Sequence, residues 1–149
     1  MPRCVVEATA RSSAPRVKVW EVLADGASWS DWGTWDKSEL ERPGDSDPQG
    51  LGAIRRNIKR PLTMREEIVV WEPPSRFGYE LLSGLPMRGY RSVVTLSDAA
   101  DGATNIHWES RFDGRWRVLD RPMTAFIRST LKDVSARVAD EAERRARAA

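Results

Sequence analysis

The sequence predicts an α+β fold: a curved antiparallel sheet of seven strands closed around a long C-terminal helix, in the order strand, helix, helix, six strands, helix. Three observations carry this. Period-two segments, punctuated by turn residues, fill the chain from Lys37 to Asp113. An apolar stripe at helical spacing then runs from Leu119 to Val138. The 149 residues make one ordinary domain, 1–149, long enough to bury a core without a covalent staple.

Taken in order, Val5, Glu7 and Thr9 alternate with Val6, Ala8 and Ala10 in a first strand. Ser12-Ser13-Ala14-Pro15 opens a helix, with serine as cap and proline in the first turn. Val17, Trp20, Leu23 and Ala24 form its apolar stripe, and Asp25-Gly26 stops it. Trp29, Trp32 and Trp35 recur every third residue, which suits a helical turn presenting its rings to one side. Rings of that size would plug one end of a core. Strands follow over Lys37–Arg42, Ala53–Lys59, Thr63–Trp71, Arg76–Leu82, Arg88–Ser97 and Thr104–Asp113. Pro43 to Gly52 is a turn-rich loop, Pro73-Pro74 ends a strand, and Asp101-Gly102 supplies turn chemistry. In the last strand Ile106, Trp108, Ser110 and Phe112 share one face and His107, Glu109 and Arg111 the other, so one side is dry and one wet. The final helix starts near Asp120, because Pro122 is tolerated only in a first turn. From Glu141 its Ala-Arg-Glu tail reads as a solvated end.

Composition excludes more than it assigns. Lys and Arg total 24 against 22 acidic residues, a formal charge of +2, and the basic residues are spread along the chain. Nucleic-acid binding is therefore not expected. The single cysteine, Cys4, rules out an internal disulfide and a multi-cysteine zinc site. No stretch is long and apolar enough to span a membrane and no cleavage signal opens the chain, so the expected location is cytoplasmic.

Chemistry-bearing residues are few. His107, the only histidine, lies on the wet face, which removes a nucleophilic triad and a histidine metal cluster. Asp31, Asp45 and Asp47 are too scattered to hold a cation, and no metal or cofactor is expected. Gly50-Leu51-Gly52 joins two strands, so it lacks the context of a nucleotide-binding loop. The most specific polar inference concerns the hairpin around Arg60-Pro61-Leu62. Centring it on Pro61 sets Ile54 opposite Ile68, Ile58 opposite Met64, and Arg56 opposite Glu66 on the apolar side. A one-residue bulge would turn both charges outward and leave Arg55 and Glu67 as an equivalent surface pair.

Several segments resemble a known family. These are Ala14-Pro15 leading into Val19-Trp20-Glu21-Val22-Leu23-Ala24-Asp25, Trp29-Ser30-Asp31-Trp32, Gly50-Leu51-Gly52, and Trp71-Glu72-Pro73-Pro74-Ser75-Arg76-Phe77-Gly78-Tyr79. With the hairpin around Tyr90 and Trp108, they are similar to the polyketide cyclase/dehydrase-like branch of the START-related superfamily (SRPBCC), whose architecture is the helix-grip fold. The resemblance implies a pocket between sheet and helix for a small hydrophobic molecule such as a lipid, polyketide or aromatic metabolite. Face assignment then puts Ile54, Met64, Tyr79, Tyr90, Trp108, Ser110, Phe112, Met123, Phe126 and Ile127 on its wall, with Trp32 and Trp35 at its mouth. Arg56 and Glu66 would meet a polar end of the ligand.

Three functions stay open at this point. The first is a carrier or binder. The second is a cyclase, aromatase or dehydratase using Glu66 as acid or base, Arg56 as anion stabiliser, and Tyr79 and Tyr90 as proton donors. The third is a membrane- or protein-interaction module working through Arg144, Arg145 and Arg147, without stable membrane insertion. The oligomeric state is left open, a homodimer among the options.

Overall fold

A computed structural model describes residues 1–148. Its strands are β1 (Cys4–Ser12), β2 (Lys37–Arg42), β3 (Ile54–Lys59), β4 (Leu62–Glu72), β5 (Arg76–Ser83), β6 (Met87–Asp98) and β7 (Thr104–Gly114). They form one antiparallel sheet in the order β1-β7-β6-β5-β4-β3-β2. Helices α1 (Arg16–Ala24) and α2 (Trp29–Trp32) connect β1 to β2, and α3 (Asp120–Ala148) closes the chain. The helix-grip expectation is met, with strand bounds within a residue or two of those read from periodicity.

The core is built from alternate positions. Val6, Val94, Ile106, Trp108 and Phe112 are almost completely buried on the concave face. Onto them pack Ile127, Leu131, Val134 and Val138, one face of α3. Pro122 does sit in the first turn of α3, where its missing N–H costs nothing. No helix among the described residues is long and apolar enough to cross a membrane.

Pro15, not a serine, is the N-cap of α1 and no side chain caps it, and two larger expectations are also corrected. The hairpin between β3 and β4 turns on two residues, Arg60 and Pro61, so that Lys59 faces Leu62. The register therefore slips by one from the three-residue turn expected: Arg55 faces Glu66, Arg56 faces Arg65, and Ile54 faces Glu67. In a strand a one-residue slip exchanges the faces. Arg56 accordingly leaves the apolar side and pairs on the outer face with Glu39, at 3.2 Å. Arg55 takes its place inside.

The second correction is the tail of α3. Glu141 and Ala142 are buried. The Glu141 carboxylate accepts from Arg144 at 2.7 Å and Arg145 at 2.8 Å. Arg145 also donates to Ser28 Oγ at 3.0 Å, tying the end of the helix to the segment before α2.

Candidate functional site

A cavity of about 160 Å³ lies between the sheet and the first half of α3. Its walls come from every layer of the fold. The inward parity of β4, β5, β6 and β7 supplies Met64 and Glu66, Tyr79 and Leu81, Tyr90, and Trp108. The apolar stripe of α3 supplies Phe126, Ile127, Leu131 and Val134, and the segment around α2 supplies Trp29 and Trp35. A second, outer depression shares Thr34, Trp35, Phe126, Thr130 and Val134 with it, so these residues frame the mouth.

Of the residues expected at a ligand site, Trp35, Met64, Glu66, Tyr79, Tyr90, Trp108, Phe126 and Ile127 come together on this wall. The other six lie off it. Arg56 is on the outer face for the register reason above, and Ile54 shares its parity. Phe112 is fully buried in the core, and Met123 packs against that core from α3. Ser110 lies behind Tyr90, whose hydroxyl it meets at 2.9 Å. Trp32 packs tilted against Trp29 and edge-on against Trp35, with ring centroids 5.4 Å and 6.3 Å apart, and lies off the wall. Sequence reasoning missed Trp29, Thr34, Lys59, Leu81, Leu85, Thr130, Leu131 and Val134 as lining residues. The inward parity of β5 carried a signal for Leu81; the others depend on how loops and α3 meet.

Polar groups gather at one end of the otherwise apolar chamber. Glu66 accepts a hydrogen bond from Asn57 Nδ2 at 2.9 Å. It keeps some accessible area because it lines the cavity, yet removal from bulk water pushes its carboxyl up to about 7. The Asn57 amide and the Arg55 charge pull the other way and only limit the rise. Beyond it, Ser92 Oγ donates to the Tyr90 hydroxyl at 3.0 Å and also contacts Ser110 Oγ. Burial raises both Tyr79 and Tyr90 above the ordinary phenol value, so both stay protonated. The Trp108 indole N–H lies close enough to the Tyr79 hydroxyl to favour its ionised form slightly, but makes no hydrogen bond of sound geometry.

Arg55 holds this end of the molecule together. It is 4% exposed and donates to the carbonyls of Leu23 at 2.9 Å, Ala24 at 3.2 Å and Gln49 at 2.9 Å. The first two are the last carbonyls of α1, so the guanidinium caps that helix as a C-terminal cation. Its face lies 5.0 Å from the Phe77 ring centroid. Burial lowers its pKa to about 10, which leaves it charged at neutral pH. A side chain on Gly26 would place Cβ 2.8 Å from Arg55 Nε, so only glycine admits this approach.

On the outer face, Glu7, His107 and Glu109 bring their possible ligand atoms within 4.8 Å of one another. Glu109 already pairs with Arg111 there, and all three side chains face water. The basic tail residues expected to meet an anionic surface are partly spent as well, since Arg144 and Arg145 both serve Glu141.

The family model described as "Polyketide cyclase / dehydrase and lipid transport" matches residues 3–147. No curated protein matches the sequence. Among solved structures, the Zhui aromatase/cyclase from Streptomyces sp. R1128 superposes with a TM-score of 0.82 at 21% identity, covering 97% of this chain and 96% of that one. A START superfamily protein from Mycobacterium smegmatis gives 0.75 at 12% identity, with 97% of each chain covered. Norcoclaurine synthase from Thalictrum flavum, solved with dopamine and hydroxybenzaldehyde, gives 0.72 at 13%, covering 91% of this chain and 84% of that one. At these identities the likeness is one of fold.

Proposed function

Because the chain belongs to the polyketide cyclase/dehydrase and lipid transport family, we propose that it binds a small, largely apolar molecule in the chamber between sheet and α3. The observation that carries the reading is the chamber itself: about 160 Å³, walled mainly by aromatic and aliphatic side chains, with one titratable carboxyl at its polar end. Its size sets the scale of the ligand. A closed apolar cavity of about 150 Å³ takes up benzene, whereas drug-sized ligands occupy roughly 300–1,000 Å³. The enclosed part of the ligand is therefore one ring or a short branched chain, and anything longer emerges between Trp35 and Phe126. Thermal-shift measurements with toluene and with palmitate test this. Toluene is expected to raise the melting temperature more than palmitate does. Thr130→Trp, which fills the mouth without entering the core, is expected to abolish the toluene shift. A palmitate shift larger than that of toluene would replace the ring-sized reading with an acyl-chain one.

Glu66 favours a second reading, proton transfer to a bound substrate. An acid or base works best with a pKa near the working pH, and burial has put this carboxyl there. Tyr79 and Tyr90 are the proton donors beside it, while Arg56 drops out because it faces away. Glu66→Gln would then abolish turnover of a converted ligand while leaving its affinity within a few-fold. Equal turnover by the variant would return the site to simple binding.

A further inference from the structure

The connection from β7 to α3 carries two apolar side chains that the core does not take up. Trp116 is 59% exposed and Val118 79%. The connection itself is well held. The Arg115 backbone N–H donates to the Pro86 carbonyl at 2.9 Å, and the Gly114 N–H to the Asp120 carboxylate at 2.8 Å. Arg117–Leu119 then forms a single 3₁₀ turn that leads into α3. Both side chains therefore project from a braced turn. Single exposed apolar residues are common on protein surfaces, so what surrounds these two decides their meaning.

The surroundings are basic. Arg115 sets its guanidinium 4.9 Å from the Trp116 ring centroid. Arg117 lies in the turn, Arg121 one helical turn further on, and Arg88 opposite Asp113 on the neighbouring strand. All four arginines are exposed, and none forms an ion pair among the described residues. The two acids at this end, Asp113 and Asp120, both pair with Arg3, at 3.6 Å and 2.7 Å. This end of the molecule thus presents two projecting apolar side chains within a group of unneutralised cations.

We propose that this end docks on an anionic lipid bilayer, with Trp116 and Val118 entering the headgroup region and Arg88, Arg115, Arg117 and Arg121 meeting the negative headgroups. Charge complementarity selects an anionic partner. The small apolar area selects a bilayer over a protein. A stable protein interface takes about 800 Å² from each side around an apolar centre, and two side chains fall far short of that. A bilayer accepts single side chains that reach past its headgroups, and tryptophan, with an apolar body and a polar N–H, suits that boundary. The surface is separate from the basic tail, where Arg144 and Arg145 are committed to Glu141. It also adjoins the chamber, because Leu85 of the chamber wall directly precedes Pro86, the residue that braces the turn.

The test uses phosphatidylcholine vesicles with and without phosphatidylglycerol. At low salt the native protein is expected to sediment with the anionic vesicles and to stay in solution with the neutral ones. Brominated acyl chains should quench part of its tryptophan fluorescence, and that part should be missing in Trp116→Phe. Arg117→Gln combined with Arg121→Gln should weaken the partition about thirtyfold, roughly fivefold for each charge removed. Arg147→Gln, on the tail, should leave it unchanged. These side chains are exposed, and an unaltered melting temperature shows that each variant is folded. No sedimentation with anionic vesicles, adsorption that leaves Trp116 unquenched, or an equal loss with Arg147→Gln overturns the proposal. The chamber reading stands or falls separately, since toluene binding is measured without lipid.

Discussion

At the scale of single residues, Glu66 is the carboxyl that burial moves into the physiological range. Its carboxyl is held near 7, against an ordinary value of 4.5, because the chamber offers little solvation to a charge. Folding therefore takes up a proton between those two values. The favourable contribution is fully present below about 4.5 and is lost as pH rises through about 7, a change of at most about 3 kcal/mol. Urea unfolding at pH 5 and pH 8 checks the sign. The native protein should lose stability relative to Glu66→Gln on going to pH 8, and parallel pH profiles would show that Glu66 is solvated in the folded state. Glu66 itself was legible in the sequence as the one acidic residue on an apolar strand face. Its partner was not: Asn57, not Arg56, reaches the carboxyl.

Elements are joined by charges used as fasteners. Arg55 links β3 to the end of α1 and to the loop before β3, through three carbonyls that no other side chain among the described residues reaches. Arg55→Met would leave those oxygens without their donor and cost about 3 kcal/mol, measured by urea denaturation. It would also remove the positive charge that restrains Glu66, so the Glu66 carboxyl should titrate above 7 in carbon-detected NMR. The far end of α3 is fastened the opposite way. Arg144, and with it Arg145, holds the Glu141 carboxyl down to about 2. That stabilisation is present above the ordinary value of 4.5 and disappears as pH falls towards 2. Glu141→Gln is expected to cost about 1–2 kcal/mol at neutral pH and to flatten the acid limb of the stability profile. A variant with native acid sensitivity would place the fastening elsewhere.

For the molecule as a whole, the sheet and α3 enclose more wall than they fill. An unfilled chamber couples binding to stability by mass action: a ligand at a hundred times its Kd adds about 2.7 kcal/mol, or roughly 5–10 °C in Tm for a chain of this size. The same chamber limits what binds, because enlarging it would require α3 to move away from β1 and β7, where its far half is packed. Long ligands are thus expected to project from the mouth rather than to expand the interior.

The sequence by itself determined the order of elements, their bounds to within a residue or two and, outside β3, most of their buried faces, since those follow from local periodicity and turn chemistry. Ile106, Trp108, Phe112 and Val138 were legible as buried because each sits in a run whose period identifies its face. What only the tertiary structure decided was the arrangement of groups from distant runs. Whether Arg55 or Arg56 points inward turned on a single residue in the β3–β4 connection, and a strand reverses its faces with that one step. The chamber arises where α3, α2 and four strands fail to fill the space between them. No local pattern encodes a void, because a void is a property of packing among elements and not of any one of them.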